Sequence, residues 1–290
     1  MALLTWEELR TKVYPTPSWV VEGFVPAGNI IFLWGESSIG KTPLCWHLAK
    51  SAAAGETFFG WRVDRRWRTL FLEMDQTEKA TQERVKDLDM PGVAFEHCGP
   101  VLDFEPAALL EHFAEAIAYR PEFLIVDSLR RAHPFEDIKS NIPTKVYSTY
   151  RQLFPEAAIL FIHHSRKLSK DERDAKRKNP EGDDVSEHES HSGSQAWMND
   201  ADHRIHVIHH AQQKFPMKVC VVTSKVGESR WHARFHLEEG RKLTWEGENP
   251  DEVQAWIAEG VARAEVVARL KARGVSQSAA YRRYDAAFSS

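Results

Sequence analysis

The chain has 290 residues, 42% hydrophobic and 28% charged, which suits one large domain with a sizeable core, or one large and one small. A net charge of −4 excludes a broadly basic, nucleic-acid-coating protein, so any such contact has to be local. Cys45, Cys98 and Cys220 are odd in number and form no C-x-x-C pair, which argues against a disulfide framework or a zinc-thiolate site and for a reducing compartment. No apolar run approaches about 18 residues, and MALLTWEELRTK has acids where a signal peptide is apolar, so a cytoplasmic protein without membrane contact is expected.

In chain order, TWEELRTK (5–12) reads as a short helix, with Thr5 as cap and Glu8 three residues on. Residues 15–29 are punctuated by Pro and Gly and read as a lead-in segment. NIIFLWG (29–35) is a buried strand ended by glycine, and Lys41–Ala54 follows with Leu44, Leu48 and Ala52 at helical spacing. TLFLEMD (69–75) is a second strand, and a helix is expected over roughly Thr77–Leu88. Residues 105–120 read as one amphipathic helix, with Leu109, Leu110, Phe113, Ala116 and Ile117 on its apolar face. FLIVD (123–127) and AAILFIHH (157–164) are further strands around a helix at Thr144–Phe154.

Short apolar strands alternating with helices predict an α/β fold whose mainly parallel sheet is covered on both faces. Residues 165–193 hold almost no large apolar side chain, and so cannot bury enough surface to offset their ordering entropy; a mobile loop is expected there. RIHVIHH (204–210), KVCVVTSK (218–225), RWHARFHLEE (230–239) and RKLTW (241–245) are later strands, the last two flanking a turn as an antiparallel hairpin. ENPDE (248–252) looks like a hinge to an Ala- and Arg-rich helical module.

Gly35-Glu36-Ser37-Ser38-Ile39-Gly40-Lys41-Thr42 fits the phosphate-binding pattern G-x-x-x-x-G-K-[ST]. Glycines let the backbone wrap a phosphate with its N–H groups inward, Lys41 offers a charge to the β- and γ-phosphates, and Thr42 offers a hydroxyl to Mg²⁺. The helix that starts there adds its dipole, and Pro43 is tolerated in the first turn, where its N–H is not needed. ATP and Mg²⁺ are the expected ligands. Asp127, at the carboxyl end of a buried strand, is the expected holder of the Mg²⁺ shell through water. Glu73 and Asp75 end the second strand, and strand alternation puts both on one side; one of them is expected to position the attacking water. His164, after His163, ends another strand and is a candidate sensor of the γ-phosphate.

A P-loop, then an acid on the next strand, then FLIVDSLRRAH, ILFIHHSRK, SGSQAWMNDADHRI and VVTSK, in that order, resemble the RecA-like hexameric ATPases over roughly residues 20–245. The resemblance is nearest to plasmid replicative helicases of the RepA type, with DnaB helicases, KaiC and RadA as wider relatives. It implies a RecA-like core, a homo-oligomeric ring such as a hexamer, ATP bound between subunits, and DNA in a central channel. Leu72-Glu73-Met74 resembles the Leu-Glu-Met of many DnaB-like relatives and makes Glu73 the catalytic acid, with Arg84 on the helix that follows. A register shifted by two, nearer the RepA type, selects Asp75 instead. His164 falls where relatives carry a Gln or His switch, and Lys225 resembles the lysine that reaches a neighbour's γ-phosphate. Gly227 stands where some relatives have an arginine, so a finger has to come from elsewhere, with Arg204 and Arg230 as weak candidates.

The loop 165–193 lies where such relatives touch DNA, and it offers Arg166, Lys167, Lys170, Arg173, Lys176, Arg177 and Lys178 to phosphates. His188 and His191 lack convincing metal-ligand spacing. ARAEVVARLKARGVSQSAAYRRY resembles a helix-turn-helix, with Gly274 and Ser276 suited to the caps at the turn and Tyr281, Arg282 and Arg283 available to DNA. The expected organisation is an N-terminal arm (1–20), a RecA-like ATPase domain (21–247) and a helix-turn-helix-like module (248–290). The expected activity is that of an oligomeric DNA motor, helicase or loader for a plasmid, phage or mobile element, acting on single-stranded DNA with duplex as a second partner. An ATP-gated DNA-binding module and a recombinase-like filament are the alternatives.

Overall fold

Runs such as IIFL and FLIV have no polar side chain to turn towards water, so only strands covered on both faces satisfy them. In the computed structural model they are the centre of one sheet. It describes residues 5–12, 18–135, 141–164, 195–209, 216–224, 232–238, 242–247, 253, 256–257, 260–272, 280–281 and 284. The elements in chain order are α1 (Trp6–Thr11), β1 (Trp19–Val21), β2 (Val25–Pro26), β3 (Ile30–Gly35), α2 (Lys41–Ala54), β4 (Thr69–Glu73) and α3 (Glu78–Val85). Then come β5 (Val93–His97), α4 (Pro106–His112), α5 (Ala114–Tyr119), β6 (Phe123–Asp127), a 3-10 turn (Leu129–Arg131), α6 (Ile142–Leu153) and β7 (Ala158–His164). The last are α7 (Gln195–Asp200), β8 (His203–His209), β9 (Met217–Ser224), β10 (His232–Glu238), β11 (Lys242–Gly247) and α8 (Arg263–Ala272).

The large sheet has nine strands in the order β11-β10-β9-β8-β3-β7-β6-β4-β5. From β8 to β5 every neighbouring pair is parallel, whereas β8–β9, β9–β10 and β10–β11 are antiparallel. The mainly parallel α/β fold with a C-terminal antiparallel hairpin is therefore as expected. Alternation along the strands divides the core in two. Ile31, Leu33, Phe71, Ile125 and Leu160 pack with Leu44, Leu48 and Ala52 of α2 on one face. Phe32, Trp34, Leu72, Val126 and Phe161 pack with Leu109, Phe113, Tyr150 and Trp197 on the other. Each of the larger apolar side chains contributes about 1.5–3 kcal/mol by leaving water.

Three expectations need correction. Residues 105–120 are not one helix, because Phe113 (φ −109°, ψ 24°) interrupts it between α4 and α5. The Phe113 ring is buried against Tyr150 and Phe154, at 5.6 and 6.2 Å between centroids, while Leu110 is exposed rather than part of the apolar face. The second strand stops at Glu73, so alternation does not carry to Asp75. The chain turns there because the backbone N–H groups of Asp75 and Gln76 bend back to the Glu73 carboxylate. The lead-in segment contains the small β1–β2 hairpin, and β5 is an edge strand that was not anticipated. The capping box at Thr5 and Glu8 is present.

In the C-terminal part, Val253, Trp256, Val266, Val267, Leu270 and Ala280 bury one another in a cluster of their own. The turn 273–276 and the loop 165–193 lie outside the described residues, as do Gly227, Arg230, Arg282 and Arg283. Among the described residues, no helix is long and apolar enough to cross a membrane.

Candidate functional site

Parallel pairing brings the carboxyl ends of β8, β3, β7, β6 and β4 to one edge. Gly35 pairs with His164 on one side and Val207 on the other, and Glu73 pairs with Asp127. The loop Gly35–Thr42 leaves β3 at this edge and runs straight into α2. Two of its positions admit only glycine. A Cβ on Gly35 would lie 2.4 Å from the Val207 carbonyl oxygen. Gly40 has φ +97°, and a Cβ there would also meet Leu237 Cδ1 at 2.7 Å. Ser38 is left-handed as well, with φ 67°.

Lys41, 2% exposed, folds its ammonium back so that Nζ donates to the Gly35 and Glu36 carbonyls at 2.9 and 2.7 Å. Burial lowers its pKa to about 8 against the opposing pull of Asp127. Thr42 Oγ1 donates to Asp127 Oδ2 at 2.5 Å. Burial raises the Asp127 carboxyl to about 6, an effect the Thr42 bond and the charges of Lys41 and Arg84 only partly offset. A buried carboxylate beside a hydroxyl is an oxygen pair suited to a hard divalent cation, whose charge would relieve this burial. Mg²⁺ therefore fits Thr42 and Asp127, and the loop fits a triphosphate.

The two candidate acids occupy different environments. Glu73 is completely buried. Its Oε1 accepts from the Asp75 and Gln76 backbone N–H groups at 3.1 and 3.0 Å, and Oε2 accepts from the Gln76 side chain at 3.3 Å. Burial, then the nearby Asp127 charge, pushes its pKa up to about 7. Asp75 is at the surface, and one of its oxygens lies with an Asp127 oxygen and a His164 ring nitrogen in a group spanning no more than 4.8 Å. The His164 pKa is lowered by burial and by Lys41.

Lys41, Thr42, Asp127, Glu73, Asp75 and His164 thus meet at one place. Lys225 and the loop bases Arg166, Lys167, Lys170, Arg173, Lys176, Arg177 and Lys178 lie outside the described residues. Tyr281 is partly exposed, with the Arg263 guanidinium 5.0 Å from its ring centre. Arg204, a weak finger candidate, is on β8 and part-buried. Sequence reasoning gave no role to Arg131, which pairs with Asp75 at 3.0 Å; its place in the LRR tail after Asp127 was the available signal.

The sequence matches the AAA domain family over residues 1–170, more than half of the chain. The chain belongs to this family. No curated protein matches it. Among solved structures, this AAA-domain protein is similar to a KaiC-like protein from the hyperthermophilic archaeon Pyrococcus horikoshii OT3. The TM-score is 0.52 at 12% identity, over 78% of this chain and 93% of that one. That likeness gives the fold, which is RecA-like. The AAA-domain chain is a RecA-like P-loop ATPase by family and architecture.

Proposed function

We propose that the protein is an ATP-hydrolysing, oligomeric motor, helicase or loader that works on DNA in the replication of a plasmid, phage or other mobile element, as RepA-type relatives do. The observation that carries the ATP half of this reading is the 2.5 Å contact between Thr42 and Asp127 beside the buried Lys41, at the convergence of strand ends. In this reading Lys41 exchanges its carbonyl partners for phosphate oxygens. Thr42, and Asp127 through water, would hold Mg²⁺, which would supply charge neutralisation on the phosphates.

Water attacks the γ-phosphate directly, with no covalent intermediate, and Asp75 orients it. The raised pKa of Glu73 alone would make it the better base at neutral pH. Access supports Asp75 instead, since Glu73 has no exposed surface and spends its oxygens on the turn, whereas Asp75 is at the surface beside Asp127 and His164. Glu73 braces that turn, His164 reads the γ-phosphate, and Lys225 serves the neighbouring subunit's site. The proposed division remains an arm at 1–20, the ATPase domain at 21–247 and a DNA-contacting helical module at 248–290.

ATP turnover measured with and without single-stranded DNA, beside a sizing measurement, tests the whole reading. DNA-stimulated turnover by a ring-sized oligomer is expected, with turnover lost in Lys41→Ala. Wild-type turnover in Lys41→Ala ends the ATPase reading. A turnover indifferent to DNA favours the ATP-gated binding module.

A further inference from the structure

Asp75 lies beyond the last residue of β4, so no strand ladder fixes its side chain. A surface carboxylate on a turn samples several rotamers, yet a water-orienting group has to be held within about 0.5 Å of its working position. The chain supplies a holder. Arg131 Nε donates to Asp75 Oδ1 at 3.0 Å. The backbone of Arg131 is itself fixed on both sides: its N–H donates to the Ser128 carbonyl at 3.0 Å, and its carbonyl accepts from the Val101 N–H at 2.8 Å. The Met74 N–H in turn donates to the Asp127 carbonyl at 2.7 Å, which zips the ends of β4 and β6 together.

We infer that Arg131 is a positioning residue for hydrolysis, its guanidinium fixing the Asp75 carboxylate relative to Asp127 and His164. The inference rests on the assignment of Asp75 above. The Arg131 and Asp75 side chains are 51% and 31% exposed, and an ion pair that open to solvent contributes little to stability. Its worth lies in orientation, because a carboxylate that wanders loses turnover without losing nucleotide. The 3-10 turn carrying Arg131 begins two residues after Asp127, so the residue proposed to hold the metal and the residue proposed to aim the acid belong to one short segment.

The test compares wild type, Arg131→Ala and Arg131→Lys by steady-state ATP turnover, and repeats Arg131→Ala in an Asp75→Asn background by single-turnover hydrolysis. Arg131→Ala is expected to lower kcat on the order of tenfold, as misplacement of a reacting group does, with KM for ATP and the melting temperature close to wild type. Arg131→Lys recovers part of the loss, and in the Asp75→Asn background removal of Arg131 costs nothing more. An unchanged kcat in Arg131→Ala overturns the inference and leaves the ATPase reading intact. A raised KM at constant kcat, or the same loss in both backgrounds, overturns it too, because Arg131 would then be binding nucleotide or merely supporting the fold. A wild-type protein that binds ATP without hydrolysing it removes the ATPase reading and the inference together.

Discussion

At the scale of single residues, Glu73 at the end of β4 and Asp75 in the turn after it differ in exposure, and their proposed roles divide accordingly. Asp75→Asn is expected to keep ATP bound while turnover falls about a hundredfold, the cost of losing general-base help. Glu73→Gln should retain most of its turnover, because a glutamine oxygen can still accept the two backbone N–H groups. Nucleotide binding and single-turnover hydrolysis, measured on both variants, check this, and stalling by Glu73→Gln alone would reverse the assignment. Glu73 also makes stability depend on pH. Its folded pKa of about 7 lies above the ordinary 4.5, so in that window the folded protein holds a proton that the unfolded chain has released. Its contribution is therefore complete below 4.5 and lost as pH rises through 7, by about 3 kcal/mol for a shift of this size. Asp127, raised to about 6, acts in the same direction. Urea midpoints at pH 5 and pH 8 should fall for the wild type and fall less for Glu73→Gln; equal losses would sink this account.

Among the elements, the central strands were legible because nothing but burial explains FLIVD, which forms β6 over those same residues. The phosphate loop was legible because Gly35 and Gly40 meet backbone and side-chain atoms that leave no room for a Cβ. The Gly35→Ala variant tests this. Its methyl would press on the Val207 carbonyl of β8, so a loss of about 1–3 kcal/mol in stability and a marked weakening of ATP binding are expected, read by denaturant unfolding and nucleotide titration. A variant as stable and as tight-binding as wild type would mean that β8 yields freely. Other elements were not legible. The edge strand Val93–His97 is part-buried along its length and lacks the apolar run that marks a central strand. The break at Phe113 depends on Tyr150 and Phe154, which come from a distant part of the chain. Strand alternation does not reach Asp75, because Glu73 captures the next two N–H groups and ends the strand. The Arg131–Asp75 pair spans 56 positions, so the LRR tail marks Arg131 but not its partner.

For the whole molecule, β7 stands between β3 and β6, so His164 lies at a strand end flanked by the phosphate loop and by Asp127, and the chain from His164 leads into residues 165–193. In the proposed motor this gives γ-phosphate state a covalent path to DNA grip. Neutralising Arg173, Lys176, Arg177 and Lys178 should abolish DNA stimulation of turnover and reduce the salt slope of single-strand binding by about 3, as four fewer phosphate contacts imply. Deleting 249–290 should weaken duplex recruitment and spare single-strand stimulation. If the neutralised variant responds to single strands like wild type and the truncation does not, the motor reading gives way to the gated binding module.

The methyl of Leu237 behind Gly40 has a further consequence. It sets β10, a strand of the antiparallel half, directly against the phosphate loop at a backbone position with no side chain to cushion it. Any ligand that stiffens the loop restrains that strand, and by reciprocity any tether on the β10–β11 hairpin alters nucleotide affinity by the same factor. Amide hydrogen exchange in β10 and β11 should therefore slow on addition of ATP, and exchange indifferent to ATP would show that the two halves of the sheet breathe independently.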